Sequence, residues 1–360
     1  MKVVVFAGGV GTRLWPLSRK NTPKQFEKVV GDKSTLQLAV ERVSPLFESS
    51  DIFISSGKRY ESLIREQLPQ IPSKNFILEP EMRDVGAAVG LVAAIFEKIS
   101  PNEPFVILWS DHLVKNDQLF RDILSIAGGI LQKEHDKIIF IGQRSRFESQ
   151  NLGWIEFGNK VKGIGGVDIY EYKSLHYRPD AKTAEEFHSS LKHAWNPGYF
   201  ATTPSFLMGL YKKHAPVMYD GLIKIQKAWG TKDFEKQLDE IFPTFEKISF
   251  DNLILEKLTE ADGYVIGADL GWSDIGAWEA LKEALAENID ENVTLGKVMV
   301  KDSRDSLVYN YTDQLVVGID LDDLLVINTG DVLLVCPKKS VAKIKKLVES
   351  LADTEHEPLT

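Results

Sequence analysis

The stretch Phe6-Ala-Gly-Gly-Val-Gly-Thr-Arg-Leu-Trp-Pro-Leu-Ser18, continued by Pro23-Lys24-Gln25-Phe26, decides how the rest of the chain is read. It is entered from Val3-Val-Val-Phe6, a short, β-branched, uninterrupted apolar run of the kind buried in a parallel sheet. The run stops at Gly8, Gly9 and Gly11. Glycine admits φ > 0 and lets another group approach its backbone N–H closely. With Arg13 inside the loop and Lys24 closing it, the loop suits a polyanion such as a nucleoside triphosphate. A dinucleotide fingerprint fails, because counted from Gly9 its third glycine position is Leu14. A kinase- or GTPase-type phosphate loop fails too, for want of Gly-Lys followed by Ser or Thr. An ordinary strand-to-helix turn is the competing reading, and Arg13, Pro16, Pro23 and Lys24 at their spacings weigh against it.

Outward from this loop, strand-like and helix-like segments alternate. Asp51 to Ser55, Asn75 to Glu79, Phe105 to Trp109 and Lys137 to Gly142 read as strands. Thr35 to Leu46, Tyr60 to Leu68, Val85 to Ile99 and Gln118 to Gln132 read as helices. The alternation predicts an α/β fold, a doubly wound, mainly parallel, Rossmann-like sheet with ligands at the carboxyl ends of its strands. From residue 151 the texture changes. Glycines at 153, 158, 163, 165 and 166 separate short strands, which predicts an antiparallel insertion lying over the sheet. Residues 204 to 248 read as amphipathic helices without chemistry. From about 290, short strands with recurring Asp-x-Leu-Val segments predict stacked rungs and a small β-helix-like domain. A last amphipathic helix follows. The expected division is a catalytic domain over 1–290, a β-rung domain over 291–352, and a disordered polar tail from Asp353.

Composition bounds the function. A net charge of −9 over 360 residues argues against non-specific nucleic-acid binding, which needs clustered basic charge. No apolar run approaches the ~20 residues of a membrane span. The first strand begins at residue 2, leaving no room for a signal peptide, so a soluble cytoplasmic protein is expected. Cys336 stands alone and reads as a buried structural thiol. The histidines show no ligand spacing, and His112 reads as local structure.

Two carboxylates stand out on the residues alone. Asp111 follows a wholly apolar strand, so it either enters the ligand crevice, where it can hold Mg²⁺, or caps the next helix. Glu79 ends the third strand, near Arg83 and Asp84. Guanine presents N1–H and N2–H₂ side by side, so a carboxylate can accept both, and base recognition in this segment is what the resemblance given next implies. A solvated strand-to-helix connection is the other reading.

Gly8-Gly-x-Gly-x-Arg13-Leu-x-Pro16 with Pro23-Lys24 resembles the N-terminal motif of sugar-phosphate nucleotidyltransferases. Trp15-Pro-Leu-Ser18 and Pro23-Lys-Gln-Phe26 resemble its mannose-1-phosphate guanylyltransferase branch, in the short form without an isomerase domain. Tyr264 to Trp278 is similar to the family's Trp-Ser-Asp-x-Gly-x-Trp segment. The resemblance covers nearly the whole chain. It implies transfer of GMP from GTP to mannose 1-phosphate, giving GDP-mannose and pyrophosphate with Mg²⁺. Other sugars or nucleotides, or a non-catalytic nucleotide-sugar-binding regulator, are the alternatives.

It also implies roles. Gly8, Gly9, Gly11, Thr12, Glu79 and Asp84 bind the nucleotide, Arg13 and Lys24 are catalytic, and Asp111 and Asp274 hold the metal. Asp274 could equally cap the helix behind it. Gly153, Arg178 and Asn196 bind the sugar phosphate, although Asn196-Pro-Gly is also turn chemistry. The C-terminal domain is expected to support a homodimer. Four places depart from the family pattern. Asp84-Val-Gly86 stands for Asn-Thr-Ala, and Tyr177-Arg178 stands for Glu-Lys before Pro-Asp. Pro197 and Tyr199 alter the Trp-Asn segment, and Asn252 replaces a Tyr after Ser249-Phe-Asp251.

Overall fold

Val3, Val4 and Val5 are completely buried, as an uninterrupted apolar run must be when both faces of its strand are covered. The computed structural model describes residues 1–9 and 11–360, apart from the side chain of Thr12. The expected nucleotide contact of Thr12 therefore lies outside the described residues. The chain divides into two compact units, one of 1–8, 40–109 and 114–270 and the other of 9–39, 110–113 and 271–360. Leu14, Trp15, Ile275 and Trp278 share one apolar core with Leu307, Tyr309, Leu325 and Ile327, which ties the glycine loop to the C-terminal strands.

The first unit is built on β1 (Lys2–Phe6), β2 (Ile52–Gly57), β3 (Phe76–Glu79), β4 (Phe105–Trp109), β5 (Ile138–Arg144), β6 (Gly153–Ile164), β7 (Val167–Tyr177), β8 (His193–Thr202) and β9 (Gly263–Ala268). Among the described residues these form one sheet in the order β3-β2-β1-β4-β8-β5-β9-β7-β6. Neighbours from β3 to β4 are parallel, as are β5 and β9, while β8 runs antiparallel between β4 and β5. The α/β sheet is thus mainly parallel with an antiparallel insertion, as expected. The insertion does not lie over the sheet, however. The β6–β7 hairpin joins the sheet itself, β7 pairing with β9 and β6 with β8 as well as with β7. The helix Asp84–Ile99 is buried from Gly86 to Phe96. Its alanines and glycines let it pack among the sheet residues Val4, Phe6, Phe53 and Phe105 and the helices Pro204–His214 and Pro216–Ala228.

In the second unit, β10 (Val293–Leu295), β11 (Val298–Lys301), β12 (Leu307–Asn310), β13 (Val316–Ile319), β14 (Leu324–Asn328) and β15 (Leu333–Pro337) form the stacked rungs. Parallel pairing puts Val293 beside Leu307 and Leu307 beside Leu325. The recurring aspartates have a backbone reason. Asp302, Asp305, Asp320 and Asp323 all take positive φ, a conformation that a short polar side chain tolerates. The tail is not disordered: Glu357–Leu359 forms a 3₁₀ turn whose Leu359 carbonyl accepts a hydrogen bond from the Trp15 indole at 2.7 Å. Cys336 is partly rather than fully buried. Among the described residues, no helix is long and apolar enough to cross a membrane.

Candidate active site

In the second unit, two hydrogen bonds bring distant segments of chain together. Leu113 N–H donates to the Ser273 carbonyl at 2.9 Å, and Ser273 N–H donates back to Leu113 at 3.0 Å. This antiparallel bridge places the Asp111 and Asp274 segments side by side. Neither aspartate caps a helix. Asn116 caps Asp117–Leu131 by accepting from Leu119 N–H at 3.1 Å. The helix Trp278–Leu285 starts after Ala277 without a side-chain cap among the described residues. The capping readings fall away for both.

Lys24 joins the two segments. Its Nζ lies 2.9 Å from Asp111 Oδ2 and 3.4 Å from the backbone oxygens of Asp274 and Ile275. Burial alone would raise the Asp111 carboxyl, but the charges of Lys24 and His112 and the Lys24 hydrogen bond outweigh it and hold it below the usual carboxylate range. His112, expected to be purely local, thus contributes to the site's field, and its ring stands edge-on to Trp272 with centroids 5.1 Å apart. Gly276 keeps the corner between Asp274 and Arg13 open. A Cβ there would sit 2.9 Å from Asp274 Oδ2 and 3.1 Å from an Arg13 guanidinium nitrogen.

The glycine loop is held by residues whose roles the sequence alone did not disclose. Gln25 Nε2 donates to the Gly9 carbonyl at 2.9 Å, and Ser18 Oγ donates to the Gly11 carbonyl at 2.5 Å. Both residues belong to the quoted motif, and that spacing was the only available signal. At Gly8 and Gly9 no described atom lies within 4 Å of where a Cβ would be, so internal packing does not demand glycine there.

The first unit gathers a second set. Glu79 ends β3 at 9% exposure, which excludes a solvated connection, and burial pushes its carboxyl up to about 8. Asp84 enters its helix with φ +64° and accepts from Val85 N–H at 2.7 Å. Asn196 lies within β8, opposite Gly153 of β6, rather than in a turn. What approaches Gly153 is Asn196 itself, since a Cβ at 153 would sit 3.3 Å from Asn196 Cβ. The Asn196 amide accepts from Gly198 N–H at 2.9 Å and donates to Asp251 at 3.4 Å.

Arg178 holds φ +51°, and its guanidinium lies 5.0 Å from the ring centroid of Tyr177, a cation–π arrangement. The tyrosine that replaces the expected glutamate thus supports the arginine. Asp180 caps the helix Ala181–Ser190, accepting from Thr183 N–H at 2.8 Å. Asp251 stood in the family-like Ser249-Phe-Asp251 segment with no role attached to it, yet it faces this set. Burial raises its carboxyl to about 6, with Glu256 and Asp84 adding to the rise and Arg178 opposing it.

Residues 2–291 match the family model described as nucleotidyl transferase. The chain belongs to that family. Residues 296–351 match the mannose-phosphate isomerase/GMP-like β-helix domain model. A mannose-1-phosphate guanylyltransferase of Escherichia coli K12 is 31% identical over 98% of this chain and 74% of its own length. The alginate biosynthesis protein AlgA of Pseudomonas fluorescens is 29% identical over 97% of this chain and 71% of its own. A crystal structure titled mannose-1-phosphate geranyltransferase, from Thermus thermophilus, superposes with TM-score 0.85 at 28% identity, covering 97% of this chain and 98% of that one.

Proposed function

We propose that this nucleotidyltransferase is a mannose-1-phosphate guanylyltransferase, forming GDP-mannose and pyrophosphate from GTP and mannose 1-phosphate. The observation that carries the reading is the convergence of Lys24, Asp111, Asp274 and Arg13 behind a glycine loop tied down by Gln25 and Ser18. Relatives that carry this activity in their names align over nearly the whole chain.

A phosphate oxygen of the sugar 1-phosphate attacks the α-phosphorus of GTP in line. The new O–P bond forms as the bond to the β-phosphate oxygen breaks, and pyrophosphate leaves with the electron pair. No covalent intermediate with the protein is needed, so the residues position groups and neutralise charge. Gly8, Gly9, Gly11 and Thr12 cradle the triphosphate with Arg13, and Lys24 offsets charge at the transferred phosphate. Glu79 accepts from the guanine N1–H and N2–H₂, with Asp84 beside the nucleotide. Arg178 grips the sugar phosphate, bidentately if its planar fork faces two oxygens. Gly153 and Asn196 attend the sugar.

Asp111 and Asp274 fit a divalent cation. They are two carboxylates on adjoining segments with an uncluttered corner at Gly276, the hard-oxygen donor set Mg²⁺ takes alongside phosphate oxygens. When bound, such an ion supplies Lewis-acid stabilisation of phosphate charge.

A homodimer through the C-terminal domain is part of the proposal. Met299, Val317 and Ile319 point outward from the paired β11 and β13 and are more than half exposed. Exposed contiguous apolar side chains favour a protein partner. A cytoplasmic location accords with the single free cysteine.

Pyrophosphate release measured across GTP, UTP, ATP and dTTP, each with mannose, glucose and glucosamine 1-phosphates, tests the reading. GTP with mannose 1-phosphate should give the highest kcat/KM. Equal or better turnover with another pair would replace the assigned substrates, and no turnover with any pair would leave a binding protein.

A further inference from the structure

Tyr177 carries no carboxylate, so the family-type glutamate cannot bond sugar hydroxyls in this chain, yet the same surroundings are rich in acidic groups. Three carboxylates, Asp84, Asp251 and Glu256, lie within electrostatic range of Tyr177 and Arg178. Two are already engaged locally. Asp84 accepts from the backbone of Val85, and Glu256 accepts from Asn252 Nδ2 at 2.9 Å. Asn252, the residue that replaces the family's Tyr, is itself fixed by Ser249, whose Oγ donates to Asn252 Oδ1 at 2.7 Å and accepts from Asn252 N–H at 3.2 Å. This short capped turn presents Asp251 to Asn196.

We infer that Asp251 reads a hydroxyl of the sugar 1-phosphate, its carboxylate accepting that hydroxyl's hydrogen bond while holding the Asn196 amide in place. The inference rests on the sugar-phosphate reading of this site.

The valences support it. Asn196 commits one N–H to Asp251 and one lone pair of its oxygen to Gly198 N–H. That leaves one donor and one acceptor position on the amide. Asp251 accepts the long 3.4 Å bond from Asn196 and a hydrogen bond from its own backbone N–H, and among the described residues no ion pair within 4 Å compensates its charge. A partly buried carboxylate so placed gains from a further hydrogen-bond donor. A carboxylate repels a phosphate but accepts from a hydroxyl, so the two ends of the substrate are told apart. Arg178 takes the phosphate, and Asp251 takes the sugar. Its raised carboxyl, near 6, reflects burial first and then the facing groups: Glu256 on its own segment, Arg178 at the end of β7, and Asp84 on the long helix. Binding of a hydroxyl to the ionised form should therefore weaken as pH falls through that range.

The test is steady-state kinetics with GTP, mannose 1-phosphate and its monodeoxy analogues, for the wild type and Asp251→Asn. Absence of wild-type turnover with mannose 1-phosphate overturns the parent reading and this inference with it. Given wild-type turnover, Asp251→Asn should raise KM for mannose 1-phosphate roughly 10- to 100-fold, with KM for GTP unchanged and the thermal midpoint no lower than the wild type's. For one deoxy analogue the wild type should lose the same factor and the variant nothing further. An unchanged KM, or an equal penalty for every analogue, overturns the role of Asp251 alone. A second readout needs no variant. Between pH 7.5 and 5.5, the wild-type KM for mannose 1-phosphate should rise more than that for the one deoxy analogue, which shares the same phosphate ionisation. Parallel pH dependence for all substrates overturns the inference even if the variant fails to fold.

Discussion

The acidic groups of the two units are handled in opposite ways. In the second unit Asp111 has Lys24 at 2.9 Å and His112 beside it, and its carboxyl is held low. In the first unit, among the described residues, no charged group offsets the burial of Glu79, and for Asp251 burial with Glu256 and Asp84 outweighs its own backbone N–H and the more distant Arg178, so both carboxyls are raised. Under the proposed function, a carboxylate kept ionised by a cation would suit a metal ion and phosphates, which bring charge of their own. A carboxylate left uncompensated is prepared for neutral donors, such as base N–H groups and sugar hydroxyls, that restore its ionised form on binding. The contrast separates charge handling from recognition.

The largest expected effect comes from breaking the compensated set. Asp111→Asn and Asp274→Asn should each lower kcat by roughly 10³-fold or more, with circular dichroism and thermal midpoint close to the wild type. Turnover near wild type in both would remove these aspartates from the chemistry. Lys24→Met ranks next, at roughly 10²- to 10³-fold in kcat, because it removes a cation that touches both segments. If the variant lost only affinity for GTP, with kcat intact, Lys24 would be a binding residue without a transition-state role.

How much of this was legible in the chain follows the same division. The glycine loop, the Asp111 position and the Trp272-Ser-Asp274 turn are short, contiguous patterns, and the alternation of strands and helices around them is local, so motif and period disclosed them. Their pairing was not derivable from spacing alone, since it rests on a two-bond bridge between Leu113 and Ser273. The recognition set was less legible because its members come from β3, β6, β7, β8 and a four-residue helix. Asn196 looked like turn chemistry because Pro197 and Gly198 follow it, yet pairing with Gly153 keeps it in a strand. Asp251 lies in the family-like Ser249-Phe-Asp251 segment, but its role was not legible, because only tertiary contact relates it to Asn196. The ordered tail was missed for the same reason, as the Trp15 indole that holds Leu359 lies at the other end of the chain.

Smaller changes test the uncompensated set. Arg178→Ala should raise KM for the sugar 1-phosphate roughly 10- to 100-fold. Arg178→Lys should raise it less, since a lysine keeps the charge and loses the planar fork that lies over Tyr177. Equal effects on KM for GTP and for the sugar phosphate would show that the arginine does not distinguish the two substrates.

Glu79 gives the finest test, because it needs no turnover. Its carboxyl sits at about 8 in the folded protein against an ordinary 4.5, so between those values the folded state binds more protons than the unfolded one. Stability must then fall as pH rises through that window, with the whole penalty present above 8. Glu79→Gln removes the titrating group. In urea titrations the variant should match the wild type near pH 4.5 and gain on it steadily, by on the order of 5 kcal/mol at pH 8.5. A stability difference that does not change with pH would mean that Glu79 is compensated after all, and the contrast between the units would lose one of its two examples. Guanine binding reverses the penalty: donors at N1 and N2 favour the carboxylate, so GTP binding at pH 7 should release close to one proton, read from calorimetry in buffers of different ionisation enthalpy. The Gln variant should release fewer, and ATP should release none through this group, because adenine offers no adjacent pair of donors to draw the proton off.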